Sequence, residues 1–159
     1  MEEKQFRAYF QLLDNLRQQL AHLTDLTRLK AKAAQNDDLL ALDEVLRQEQ
    51  AAALNFRGLE QRRQKQTAEL GIAELALSQL VDCCPPALQE EARQASENLT
   101  AQYRTYRSVA EDTRAILERN LHEVERTLEQ AGVHPEEGTP GYREAQPETP
   151  PNMKTDFRA

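Results

Sequence analysis

Tryptophan is absent from this chain of 159 residues, aromatic residues make up 5% of it, and its two cysteines, Cys83 and Cys84, are neighbours. So few large side chains cannot fill a thick globular core, and a thin, elongated body is expected. A bridge between adjacent cysteines closes a strained ring and staples nothing together, so two free thiols in a loop are expected. Val, Ile and Thr never gather into the alternating runs that a sheet needs, which argues against a β domain. No apolar run approaches the roughly 18 residues that cross a membrane, and the opening residues, MEEKQFRAYF, carry neither the apolar core nor the cleavage site of a signal peptide. A soluble, cytoplasmic protein is the expectation. The net charge of -7 speaks against nucleic acid. Residues 1–35 are only slightly basic, and their aromatics, Phe6, Tyr9 and Phe10, gather at one end instead of being interleaved along the charges.

Catalytic and cofactor patterns are missing as well. A di-metal bundle needs Glu-x-x-His twice on facing helices, but Gln19, Arg119 and Ala131 stand three residues before His22, His122 and His134. The stretch from His122 to Glu125 lacks the second His of a zinc protease helix. Gly58 and Gly71 are isolated in helical surroundings, so no phosphate loop is formed. Cys83 and Cys84 lie beside Asp82 and two prolines, without the base or positive setting that a thiol nucleophile needs. The chain is therefore expected to be no enzyme and to hold no metal or cofactor.

What the chain does have is Leu, Ala, Glu, Gln and Arg, all strong helix formers. Phe6, Tyr9, Leu13, Leu16, Leu20 and Leu23 recur at steps of three and four, predicting a first helix over Glu3 to Gln35. Asn36-Asp37-Asp38 supplies turn formers and an N-cap, so the chain should reverse there. A second stripe runs Leu39, Leu42, Leu46, Ala53, Phe56, Leu59 and Leu70, fading across the polar stretch from Glu60 to Thr67. Beyond Gly71, the residues Ile72, Leu75, Leu77, Leu80 and Val81 suggest a shorter apolar helix that ends at Asp82 before Pro85 and Pro86.

From Pro86 to Gln130 nothing interrupts a long last helix, whose stripe reads Leu88, Ala92, Ala95, Leu99, Tyr106, Val109, Thr113 and Ile116. It then steps over by one to Leu117, Leu121, Val124 and Leu128, a stutter that would make two apolar surfaces. Glu49, Arg63 and Asn120 interrupt the stripes where burial is expected. Such groups need a partner, and Glu49 would find one in Arg63 or in a basic group on a neighbouring helix. Gly132 fits a helix C-cap. The reading is all-α: an elongated antiparallel bundle of three to four long helices over residues 1–131, followed by a disordered tail over 132–159. The tail holds five of the seven prolines (Pro135, Pro140, Pro147, Pro150 and Pro151). Its closing segment, Met153 to Arg158, regains an apolar pair that suits a docking motif, although a plain chain end is the simpler reading.

The stretch Lys30-Ala31-Lys32-Ala33-Ala34, then Asn36-Asp37-Asp38-Leu39-Leu40, Glu49-Gln50 and Gly58-Leu59-Glu60-Gln61-Arg62-Arg63 resembles the FlgN-type flagellar export chaperones. It shares their basic end of a first helix, short polar turn and leucine-rich second helix with an internal Glu-Gln and a Leu-Glu-x-x-Arg pattern. The resemblance implies a cytoplasmic helical bundle that binds the hook-associated, or hook-filament junction, proteins. Such a chaperone would prevent their premature assembly and deliver them to the flagellar type III export gate, with its C-terminal region holding the cargo. On that reading Leu117, Leu121, Val124 and Leu128 are the partner-binding residues. The competing reading is a structural coiled-coil tether without export cargo, and the heptad pattern leaves a homodimer open.

Overall fold

The computed structural model describes residues 2–133, and the expected disordered tail with its Met153 to Arg158 segment lies outside the described residues from His134 onward. Three long helices dominate: α1 (Glu2–Gln35), α2 (Leu39–Glu69) and α4 (Gln89–Gln130). Between the last two, residues 70–88 hold single 3-10 turns at Leu77–Gln79 and Pro86–Leu88 and a four-residue helix, α3 (Leu80–Cys83). Among the described residues there is no strand, so the chain is all-α as its composition requires.

The central helix is α1. Phe6, Tyr9, Leu13, Leu16, Leu20 and Leu23 are all buried as their spacing predicts, and Phe10, Leu12 and Leu26 are buried beside them. One stripe cannot account for so much burial. The reason is that α1 packs against both α2 and α4, so it is covered on two sides. Where α4 approaches, Thr24 and Thr27 replace bulky residues. Their hydroxyls donate to the carbonyls of Leu20 and Leu23 at 2.6 and 2.7 Å, which satisfies them without leaving the helix.

Helix direction follows from the cross-links. Arg7 faces Glu91 at 3.9 Å, Gln102 donates to the Thr24 hydroxyl at 3.3 Å, and Asn120 donates to the Ala34 carbonyl at 3.1 Å. Residue numbers rise together along these pairs, so α1 and α4 run parallel. The helix between them, α2, runs the opposite way, and its Glu49 meets Lys30 of α1 at 2.8 Å. The result is an up-down-up bundle in which successive long helices are antiparallel.

All three long helices stop in one way. The residue after each C-cap has a positive φ: Asp37 at 54°, Gly71 at 71° and Gly132 at 74°. Paired bonds close each end, Asp38 N–H to the Ala33 carbonyl, Ile72 N–H to Thr67 and Val133 N–H to Leu128, at 2.9 to 3.0 Å. Glycine takes this conformation without strain, and Asp37 takes it as one of the few other residues that tolerate it. Asp38 then serves twice, because its carboxylate accepts from Ala41 N–H at 3.1 Å and caps α2.

Two sequence expectations need correction. The stripe of α2 that α1 covers is Val45, Ala52 and Phe56, whereas Leu39 is 76% exposed and Leu46 is 41% exposed. Leu46 follows Val45 by one residue, about 100° around the helix, and so sits at the edge of the covered face. The short apolar helix expected after Gly71 forms only from Leu77, as the 3-10 turn that runs into α3, and ends at Cys83. Ile72, Leu77 and Leu80 are buried: Leu77 and Leu80, three residues apart, share a face of this stretch, while Ile72, five residues before Leu77, reaches the core from the turn after Gly71.

The polar stretch of α2 remains helical to Glu69 because its buried charges are matched. Arg63 donates through Nε and Nη2 to the Glu60 carboxylate at 3.1 to 3.3 Å, a fork between side chains that are each 10% exposed. Glu49 takes the second of its two expected partners, a basic group on the neighbouring helix. Tyr106 of α4 stands near it, and its phenol is pushed above the usual range first by burial and then by the charges of Glu49 and Tyr103.

Candidate partner-binding site

Among the described residues, the end of α4 has no neighbour along its apolar face. Contact with α1 runs up to Asn120, whose amide holds the Ala34 carbonyl one residue short of the end of α1. Past that point α4 continues from Leu121 to Gln130, an overhang of about 15 Å.

Three of the four residues singled out by the sequence, Leu121, Val124 and Leu128, lie on this overhang and share a face with the fourth, Leu117, one turn before it. Val124 comes about ten turns after Leu88, so it points the same way as that fully buried core residue. Leu121 and Val124 are 52% and 55% exposed, and Leu117 and Leu128 are half-buried. The stutter therefore does not create a second surface, as the spacing had suggested. Ile116 and Leu117 are both half-buried, one to either side of the buried Thr113, and Leu121, Val124 and Leu128 stay on the side of Leu117, on the face that packs on α1. They lie open because α1 has ended, which the spacing along α4 alone could not reveal.

Along the packed part of α4 three exposed glutamates form intrahelical pairs, Glu90 with Arg93, Glu111 with Arg107 and Glu118 with Arg114, at 2.8 to 3.3 Å, while Glu97 and Asp112 are, among the described residues, in no ion pair. Among the described residues, Glu123, Glu125 and Glu129 are in no ion pair. The same end of the bundle also exposes Leu39 and Leu40 at the start of α2, to 76% and 86%. Leu39 was read as a core residue. Two adjacent leucines directly after a turn point about 100° apart and cannot both face α1, and that is the signal that marks one of them as exposed.

The opposite end holds a cleft of about 510 Å³, lined among others by Glu2, Phe6, Leu70, Ile72, Cys83 and Cys84. Both cysteines are free, Cys83 exposed and Cys84 buried. Burial, with the neighbouring Cys83 second, pushes the Cys84 thiol up. Among the described residues no group of three or more His, Cys, Asp or Glu is placed to hold a metal, and no helix is long and apolar enough to cross a membrane.

The chain matches neither a curated protein nor a solved structure. A family model described as FlgN protein matches residues 1–145, which takes in the whole bundle and the overhang of α4. The FlgN family is one of flagellar chaperones, and this chain belongs to it.

Proposed function

We propose that the chain is a cytoplasmic flagellar type III export chaperone that holds hook-associated proteins through the apolar stripe at the end of α4. It keeps them from assembling prematurely and hands them to the export gate. The observation that carries this reading is the overhang itself: a core-facing stripe that continues past the helix it packs on, with Leu121 and Val124 more than half exposed. An amphipathic helix of the unassembled cargo can take the place that α1 fills lower down, so binding is helix against helix.

Burying four Leu or Val side chains offers roughly 6 to 12 kcal/mol in full. Leu117 and Leu128 are already half covered, so the gain falls toward the lower end of that range. Ordering of the cargo segment and lost translational freedom consume much of it. An affinity between micromolar and nanomolar follows, which suits a chaperone that must release its cargo. The tether reading fits less well, because the turn at Asn36 to Asp38 lets the chain bury its long stripes within itself.

Calorimetric titration of a purified hook-associated protein into the full chain tests the proposal, with Leu121→Asp alongside. A one-to-one complex that Leu121→Asp weakens supports it. A complex that ignores the substitution moves the site off the overhang, and no complex with a well-folded chain removes the cargo assignment.

A further inference from the structure

The overhang of α4 carries an acidic rim as well as an apolar stripe. Glu125 follows Val124 and lies about 100° around the helix from it, on the side toward which Leu121 and Leu128 are turned, whereas Glu123, two residues after Leu121, is about 200° from that leucine and faces away. Glu129 follows Leu128 and extends the rim on the Glu125 side. Glu125 and Glu129 are exposed and, among the described residues, in no ion pair, as are Glu97 and Asp112 on the packed part of the same helix, where Glu90, Glu111 and Glu118 each have an arginine. Cations are not missing from the overhang. Arg126 is there, but it comes two residues after Val124, about 200° around the helix, and so faces away from the stripe.

We infer that the overhang selects a cargo segment of one chemical type, a helix whose apolar stripe is bordered along one edge by lysines or arginines. The inference rests on the proposed chaperone function and adds the charge of the partner to it. Carboxylates along one edge of an apolar stripe repel an acidic helix and favour one that brings basic side chains to that edge, which gains specificity and association rate from them. Rim charges remain in contact with water, so their effect is screened by salt, while the apolar contact is not.

The test titrates a hook-associated protein into the full chain at about 0.05 M and about 0.5 M salt. Three proteins are compared: the unaltered chain, Leu121→Asp, and the double variant Glu125→Lys/Glu129→Lys, with helix content followed by circular dichroism. The two glutamates are exposed, so the double variant is expected to fold as the original does. The expected result is a complex weakened severalfold by salt, weakened about tenfold by the double charge reversal, and with its salt dependence reduced or inverted in that variant.

Loss of affinity in Leu121→Asp alone, with the double variant and salt without effect, overturns this inference and leaves the chaperone reading intact. Absence of any complex overturns both. Tighter cargo binding by the double variant would mean that the cargo segment is acidic. A self-association that the double variant abolishes, with cargo affinity unchanged, would assign the rim to a second copy. Either of those results also overturns the inference.

Discussion

Truncating one leucine in the bundle and one on the overhang should have opposite consequences. Leu16 is 0% exposed at the middle of α1, between α2 and α4, and Leu121 is 52% exposed on the overhang. Leu16→Ala removes a fully covered side chain and leaves a cavity between rigid helices, which costs about 3 to 5 kcal/mol. For a chain of this size each kcal/mol lowers the melting temperature by about 2 to 4 °C, so a drop of roughly 8 to 15 °C is expected. Leu121→Ala touches no packed neighbour beyond the end of α1 and should stay within about 0.5 kcal/mol. Urea unfolding followed by circular dichroism at the helix band reads both, and equal slopes confirm that the stability itself has changed. If Leu121→Ala cost as much as Leu16→Ala, the overhang would be packed against something, and the argument for an open stripe would fail.

Gly71→Ala should destabilise by about 1 to 2 kcal/mol in urea unfolding through backbone strain alone, because φ is 71° there and the space around an added Cβ is open. Gly71→Asn should cost less, and equal costs would point to a clash instead. Iodoacetamide should label exposed Cys83 quickly in the native chain and buried Cys84 only as the connector opens, while equal native rates would contradict the burial. Tyr106 and Cys84 hold their protons to higher pH when folded than when unfolded. Below the ordinary thiol and phenol ranges neither affects stability. As pH rises through those ranges the unfolded chain ionises first and stability falls. Cys84→Ser should flatten the earlier part of that decline and Tyr106→Phe the later part in unfolding midpoints measured against pH.

The first helix was legible because its apolar residues recur with little variation from Phe6 to Leu23, and the reversal at Asn36 to Asp38 was legible from its turn chemistry. The covered face of α2 was not. Leucines at 39, 42 and 46 outweigh Val45 and Ala52 by hydrophobicity, yet α1 already supplies large side chains at that seam, and the smaller residues of α2 are the ones buried. The connector was legible in its second half, where Leu77 and Leu80 lie on a short helical stretch, but not in its first, where Ile72 is as apolar as a helix face and yet plugs the core from the turn after Gly71. At the proposed site the apolar stripe that stays open at Leu121 and Val124 was legible, and the cause of its exposure was not. It depends on where α1 stops relative to α4, a length relation between two helices far apart in sequence.

Hydrogen exchange of the full chain with and without a hook-associated protein tests the central claim most directly. Amides from Leu121 to Gln130 belong to a helix end without packing on its apolar face and should exchange quickly in the free chain. In the complex they should slow markedly, with little change in the middle of α1. Unchanged exchange across the overhang in a saturated complex would contradict the claim and send the search for the cargo surface elsewhere on the bundle.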